Sequence, residues 1–192
     1  MRALLVIDVQ ESFRQRDSWK AVSAPDIVKP VAQLVDAARA AGDLVVWVLH
    51  TEPGTGGVFD PDSEHIRFMD GLDPRPTEPL LHKTSRNAFT TTNLQQVLTA
   101  AGIRDLVICG LTTEQCCETT ARVAADLGYD VTFVTEATAA FPIPHRDAPA
   151  GRPIEEVLAD PRTLCTADVI ARTEYALAGR FATIGTVSGL TG

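Results

Sequence analysis

The sequence predicts an α/β protein built on a mainly parallel sheet of five or six strands, covered on both faces. Short, near-continuous apolar runs recur along the chain, and a run that is apolar at every position marks a strand buried on both sides. Segments with helical spacing stand between these runs, and strand–helix alternation builds a parallel sheet. The 192 residues are 45% hydrophobic and 22% charged, a composition that can bury a sizeable core and excludes disorder as the main state. The simplest organisation is one domain over residues 1–192.

The first apolar run, Arg2–Ile7 (RALLVI), reads as a buried strand that ends at Asp8. Helical spacing of Ile27, Val31, Leu34, Val35 and Ala38 predicts a helix over Asp26–Ala41, with Gly42 as its stop. Leu44–Leu49 (LVVWVL) is a second buried strand. Thr51–Pro79, rich in Gly, Pro and Asp, is a long loop, and loops of that length in compact domains tend to be functional. Leu80–Lys83 reads as a short strand, and Thr92 as the cap of a helix over Asn93–Ala101 that Gly102 ends. Asp105–Cys109 is the next strand. Thr113 then caps a helix over Glu114–Leu127, which Gly128 ends. Asp130–Thr135 is another strand. Phe141–Pro161 holds five prolines and reads as an irregular insertion, extending over about 141–165 with one helical turn near Glu155. A helix over Ala167–Ala178 and a strand within Phe181–Thr186 complete the chain.

A net charge of −8 makes phosphate backbones, and hence nucleic acid, unfavourable partners. No apolar run approaches the roughly 20 residues of a membrane span, so no membrane partner is expected. The N-terminus, MRALLVIDVQESF, is too short in apolar residues for a signal-peptide core, which points to the cytoplasm. The four cysteines, Cys109, Cys116, Cys117 and Cys165, form no CxxC pair and show no zinc spacing. In a cytosolic chain they are reduced thiols. No G-x-G-x-x-G follows the first strand, where the chain reads DVQESF, so dinucleotide binding is not indicated.

In open parallel sheets the ligand sits beyond the carboxyl ends of the strands. Asp8 follows the first strand, Lys83 ends the short Leu80–Lys83 run, and Cys116 opens the helix after the strand ending at Cys109. A carboxylate, an ammonium and a thiol thus reach one sheet edge from three distant segments. With Thr113 as cap, Cys116 lies in the first helical turn, where the dipole and free N–H groups favour a thiolate. Lys83 nearby would lower the thiol pKa further. Asp8 is suited to take the thiol proton and pass it to a leaving amine. The N–H groups around Leu111–Cys116 are suited to an oxyanion. Taken singly, Asp8 reads as a cap, Lys83 as a solvated charge and Cys116 as a small buried hydrophobe; their shared placement favours function.

Three segments, LLVIDVQESF (Leu4–Phe13), KTSRNAF (Lys83–Phe89) and GLTTEQCCETTARVAADLGYDV (Gly110–Val131), carry a family resemblance. In order and approximate spacing the chain resembles the isochorismatase-like cysteine hydrolase superfamily, which includes nicotinamidases, N-carbamoylsarcosine amidases and ureidoacrylate amidohydrolases. The resemblance implies a three-layer α/β/α sandwich and an Asp8, Lys83, Cys116 triad. It also implies a non-proline cis peptide between Leu111 and Thr112 that helps aim backbone donors, and a homo-oligomer, dimeric or larger. The expected activity is hydrolysis of a C–N bond in a small amide, carbamoyl or ureido substrate through a Cys116 acyl-enzyme. The alternative is isochorismate hydrolysis, a vinyl-ether cleavage using Asp8 and Lys83 without a covalent intermediate; a cysteine at position 116 argues against it.

Gln10 and Phe13 follow Asp8 in the family pattern, and Asn87 and Phe89 lie in the lysine motif, which makes all four candidates for the substrate pocket. Cys117, where the family more often has an apolar residue, is read as core, as is Cys109. Nicotinamidase-like members carry an Asp-x-His pair and a later His after the second strand. Here His50, Glu52 and His65 stand in a different order, so no catalytic metal and no other cofactor is expected. His145 and Arg146 in the insertion, and Arg67 and Arg75 in the long loop, are candidates for recognising an anionic substrate group.

Overall fold

The five apolar residues Ala3–Ile7 form strand β1, and all are buried. Alternate side chains point to opposite faces of a strand, so a continuous apolar run needs cover on both sides. Ala3, Leu5 and Ile7 enter one core with Leu94, Leu98, Ala121 and Leu177. Leu4 and Val6 enter a second core with Ile27, Val31, Leu34 and Val35. The computed structural model describes residues 1–192. It has six parallel strands in the order β3-β2-β1-β4-β5-β6: β2 is Leu44–His50, β3 Leu80–Lys83, β4 Asp105–Leu111, β5 Asp130–Ala139 and β6 Thr183–Ile184. Helices α1 (Val28–Ala41) and α6 (Val187–Thr191) cover one face. The other is covered by α2 (Leu94–Ala100), α3 (Glu118–Asp126) and α5 (Thr166–Leu177). This is the expected three-layer architecture. No helix is long and apolar enough to cross a membrane.

Element ends differ from expectation for local reasons. Helix α1 starts at Val28 because the preceding residues form tight turns, Ile27 N–H to Ala24 O and Lys29 N–H to Asp26 O. Gly42 ends it as expected, with φ 72°. Thr92 sits just outside α2, its hydroxyl accepting from Leu94 N–H at 3.0 Å. Strand β5 runs on to Ala139 because the β4–β5 register shifts between Ile108 and Gly110, which brings Thr138 and Ala139 opposite Gly110 and Leu111. Gly110 has φ 125°, and a Cβ there would lie 1.9 Å from Ile7 O, so only glycine lets β4 press this closely on β1. The last strand shrinks to two residues. Helix α6 was not expected; it is too short for a period to show, and Thr186 caps it by accepting from Gly189 N–H. The insertion carries α4 (Ile154–Ala159), whose Ile154 N–H donates to Asp17 Oδ2 at 2.8 Å, and an Ile143–Leu164 bridge closes its base.

The long loop between β2 and β3 is tied down. Phe59, Met69 and Leu72 are buried, Met69 N–H donates to Val9 O, and Gln10 bridges to Phe68. Near its end Glu78 accepts from Arg39 (2.7 and 2.8 Å), Trp47 Nε1 (2.7 Å) and Arg75 N–H (2.9 Å). Burial works to raise its pKa, but these donors hold the carboxyl at about 2, below the usual 4.5. The folded pKa is depressed, so the stabilisation is complete above 4.5 and is lost as pH falls from there through about 2. Glu78→Gln should cost about 2 kcal/mol at pH 7, and denaturant titrations should show that cost shrinking at pH 3.

Candidate active site

The strand order reverses between β1 and β4, and the carboxyl ends at such a switch point form a natural crevice. Asp8 follows β1, with a positive φ of 54° and its N–H donating to Val48 O; Asp tolerates that left-handed conformation better than most residues. His50 ends β2 and is paired in register with Lys83, which ends β3. Beyond β4 the Leu111–Thr112 peptide is cis, as expected. Gln115 N–H and Cys117 N–H both donate to Thr112 O, so the chain enters the α3 region through a π turn, Thr113–Cys117. Thr112, not Thr113, therefore occupies the cap position. The Thr113 hydroxyl instead turns inward to Thr138 Oγ1 at 2.8 Å. Cys116 still lies in the first turn.

The three expected groups meet. Lys83 Nζ lies 2.7 Å from Asp8 Oδ2 and 3.2 Å from Cys116 Sγ. It also reaches Ser85 O at 3.2 Å and His50 Nδ1 at 3.3 Å. Asp8 and Lys83 are fully buried and Cys116 is 4% exposed. No backbone N–H or hydroxyl donates to either Asp8 oxygen, which leaves the carboxylate facing only the ammonium and the thiol.

The electrostatics correct one expectation. Burial, and then the Asp8 carboxylate, push the Cys116 thiol up to about 12, and Lys83 does not reverse this. A lysine whose charge is already matched by a carboxylate at 2.7 Å has little left to draw out a second anion. Burial raises the Asp8 pKa, with Lys83 opposing. Burial disfavours the Lys83 ammonium too, but Asp8 and Cys116 more than offset this and hold its pKa above the ordinary value. The resting site is thus an ion pair beside a neutral thiol.

A cavity of about 250 Å³ opens above Cys116. Phe13, Phe59 and Phe141 line it, with Phe13 edge-on to Phe59 at 4.9 Å and stacked on Phe141 at 6.1 Å. Thr112, Gln115, His50, Glu52, Arg16 and Arg86 supply its polar groups. Burial, and then Lys83, lower the His50 pKa. A neutral His50 can accept from Lys83 at Nδ1 and donate to Glu52 Oε1, 3.3 Å from Nε2.

Of the four pocket candidates, Phe13 lines this cavity; Gln10, Asn87 and Phe89 do not. The Gln10 amide holds the backbone of His50, accepting from its N–H at 2.7 Å and donating to its carbonyl at 3.1 Å. Asn87 Oδ1 accepts from the N–H groups of Phe89 and Thr90 and so shapes the loop after Lys83. Phe89 packs in the core near Tyr129. The proposed anion binders also lie elsewhere: Arg67 pairs with Asp70, and His145 and Arg146 face Asp147. Neither these nor Arg75 lines the cavity. Cys117 and Cys109 are buried, and burial pushes both thiols up; Cys165 is exposed. No three His, Cys, Asp or Glu side chains are disposed to hold a metal ion. Sequence reasoning missed Arg16, Phe59, Arg86, Gln115 and Phe141 as cavity residues. Only Arg86, three residues past Lys83 in KTSRNAF, carried a signal.

The isochorismatase-domain family model matches residues 2–152. The chain belongs to the isochorismatase family. Like other isochorismatase-family members it is a hydrolase. It is 36% identical over 145 residues to a streptothricin hydrolase from Streptomyces noursei, a match covering 75% of this chain and 56% of that protein. It is 35% identical over 153 residues to nicotinamidase 3 from Arabidopsis thaliana, covering 72% and 73% of the two. Among solved structures, a cysteine hydrolase from Pseudomonas syringae pv. phaseolicola superposes with a TM-score of 0.83 at 25% identity, covering 99% of this chain and 90% of that one.

Proposed function

We propose that this isochorismatase-family hydrolase cleaves a C–N bond of a small amide, carbamoyl or ureido compound through a covalent thioester on Cys116. The observation that carries the reading is the contiguous Asp8–Lys83–Cys116 cluster, with Cys116 alone of the three lining the cavity. Cys116 attacks the carbonyl carbon while Asp8 takes the thiol proton. A thiol held near 12 is a poor standing nucleophile, so the proton leaves as the S–C bond forms. Lys83 keeps Asp8 ionised and oriented. The backbone N–H groups around Leu111–Cys116, beside the cis Leu111–Thr112 bond, serve as donors to the developing oxyanion. Asp8 then protonates the leaving nitrogen. Water attacks the thioester, with Asp8 again as base, and releases the acid.

The test is ammonia release from primary amides, carbamoyl amino acids and ureido acids. Release by the wild type supports the reading. Isochorismate cleavage that survives Cys116→Ala and is lost with Asp8→Ala would replace it with the vinyl-ether chemistry.

The pH dependence separates this mechanism from one with a free thiolate. Asp8 must be ionised to accept a proton, and burial raises its pKa. The profile of kcat/KM should therefore have an acid limb lying above the usual carboxylate range, and activity should rise with pH through it. No rising limb should appear near the ordinary thiol value of 9.0. A limb there would contradict the proton transfer to Asp8.

A further inference from the structure

The cavity above Cys116 carries more positive charge than its chemistry needs. Arg16 and Arg86 both line it. Arg16 lies between the two tight turns that follow β1, and Arg86 in the loop that follows β3. Each stands beside an uncharged neighbour on the cavity wall: the Arg16 guanidinium lies 5.4 Å from the Phe59 ring centroid, and Arg86 Nη1 lies 3.4 Å from His50 Nε2, whose proton faces Glu52, so the imidazole takes up none of the Arg86 donors. No carboxylate stands within 4.0 Å of either. By contrast Arg39, Arg122, Arg152 and Arg172 all have carboxylate partners. Glu52 is the one acidic residue lining the cavity, and it is engaged by His50. Asp8 and Lys83 cancel beneath. The cavity mouth therefore holds two unmatched cations against one anion, in a protein whose net charge is −8. A surface that is acidic overall repels anions, so this local excess makes the cavity mouth a place where an anion is drawn in against the overall charge.

The size of the cavity limits what enters. Its 250 Å³ corresponds to the room of about eight liquid waters. A guanidinium presents paired N–H donors that match a carboxylate, and an aromatic wall lowers the local dielectric and strengthens that contact.

We propose that the substrate is a small carboxylate-bearing amide, carbamoyl or ureido compound whose carboxylate is held by Arg16 and Arg86 while its scissile carbonyl meets Cys116. The identity of the scissile group rests on the cysteine-hydrolase reading; the anion site does not. The two arginines act in binding and orientation, since the reacting carbonyl lies at the other end of the molecule.

Binding to the Cys116→Ala protein, in which turnover is blocked, tests this directly. Calorimetry would compare N-carbamoylglycine with N-carbamoylglycinamide, and succinamic acid with succinamide. At least one acid should bind about tenfold or more tightly than its neutral partner at low salt, as a charge-assisted contact implies, and the advantage should shrink as salt is added. Arg16→Ala and Arg86→Ala should each reduce the preference severalfold, and the double substitution should remove it. If no acid binds better than its neutral partner, or if the preference survives the double substitution, the anion site is wrong. Wild-type turnover separates the two ideas. Preferential binding without hydrolysis would refute the thioester chemistry and leave the anion site standing. Hydrolysis of acids and neutral partners with equal kcat/KM would refute the anion site and leave the chemistry standing.

Discussion

Replacing Cys116 by Ala should lower amide hydrolysis roughly 10⁴-fold or more, because removing a covalent nucleophile removes the step that all later ones follow. The fold should survive. Cys116 is nearly buried, and its thiol is one of four contacts to Lys83 Nζ. Losing it leaves the Asp8 ion pair and the core beneath intact, for a stability change of about 1 kcal/mol. Initial rates and thermal unfolding, measured on the same preparation, check both halves. Cys116→Ser should be nearly as inactive, since a hydroxyl beside the same carboxylate is a weaker acid than a thiol and enters the attack later. Hydrolysis by Cys116→Ala within tenfold of the wild type would remove the thioester mechanism outright.

The parts of this site that could be read in the sequence are those fixed by strand ends. Asp8 and Lys83 adjoin apolar runs whose direction in a parallel sheet decides which edge they reach, and Cys116 opens the next helix beyond β4. The family motifs added the cis bond at Leu111–Thr112, which no spacing rule reveals. The cavity wall was not legible for a physical reason. Phe59 lies in the long loop after β2, and Phe141 beyond the end of β5, where the chain has no period to follow. They meet Phe13 only because the loop is bonded back to the segment after β1 and because β5 outruns its predicted end. The same limit misplaced the anion binders. Arg67, Arg75, His145 and Arg146 have the right chemistry, but the loops carry them away from the cavity. Arg16 hid between two tight turns. The thiol's ionisation is not legible in sequence either: a helix terminus and a lysine show there, whereas the burial and the neighbouring carboxylate that outweigh them appear only in the fold.

The Asp8–Lys83 pair should dominate stability as well as activity. Both side chains have no solvent exposure, and they stand 2.7 Å apart. Breaking a buried pair from one side leaves an uncompensated charge, at a cost of about 3–5 kcal/mol. Lys83→Met should therefore be strongly destabilised at neutral pH. Acid should relieve it: without Lys83 the folded pKa of Asp8 rises further above its unfolded value, and the group's contribution is most favourable where the carboxyl is protonated in both states. Stability relative to wild type should thus improve as pH falls toward 4 and worsen as pH rises through the raised Asp8 pKa. Asp8→Asn, which strands the ammonium, should be destabilised by a similar amount near pH 7 and should recover on the alkaline side instead. The double variant, Asp8→Asn with Lys83→Met, removes both charges and should cost several kcal/mol less than the sum of the two single changes. All three variants should be inactive, so activity alone would not separate a positioning ion pair from a broken fold. The double-variant cycle does: additive losses would mean that the two charges do not compensate each other in the folded protein, and the ionised Asp8 on which the proton transfer depends would lose its support.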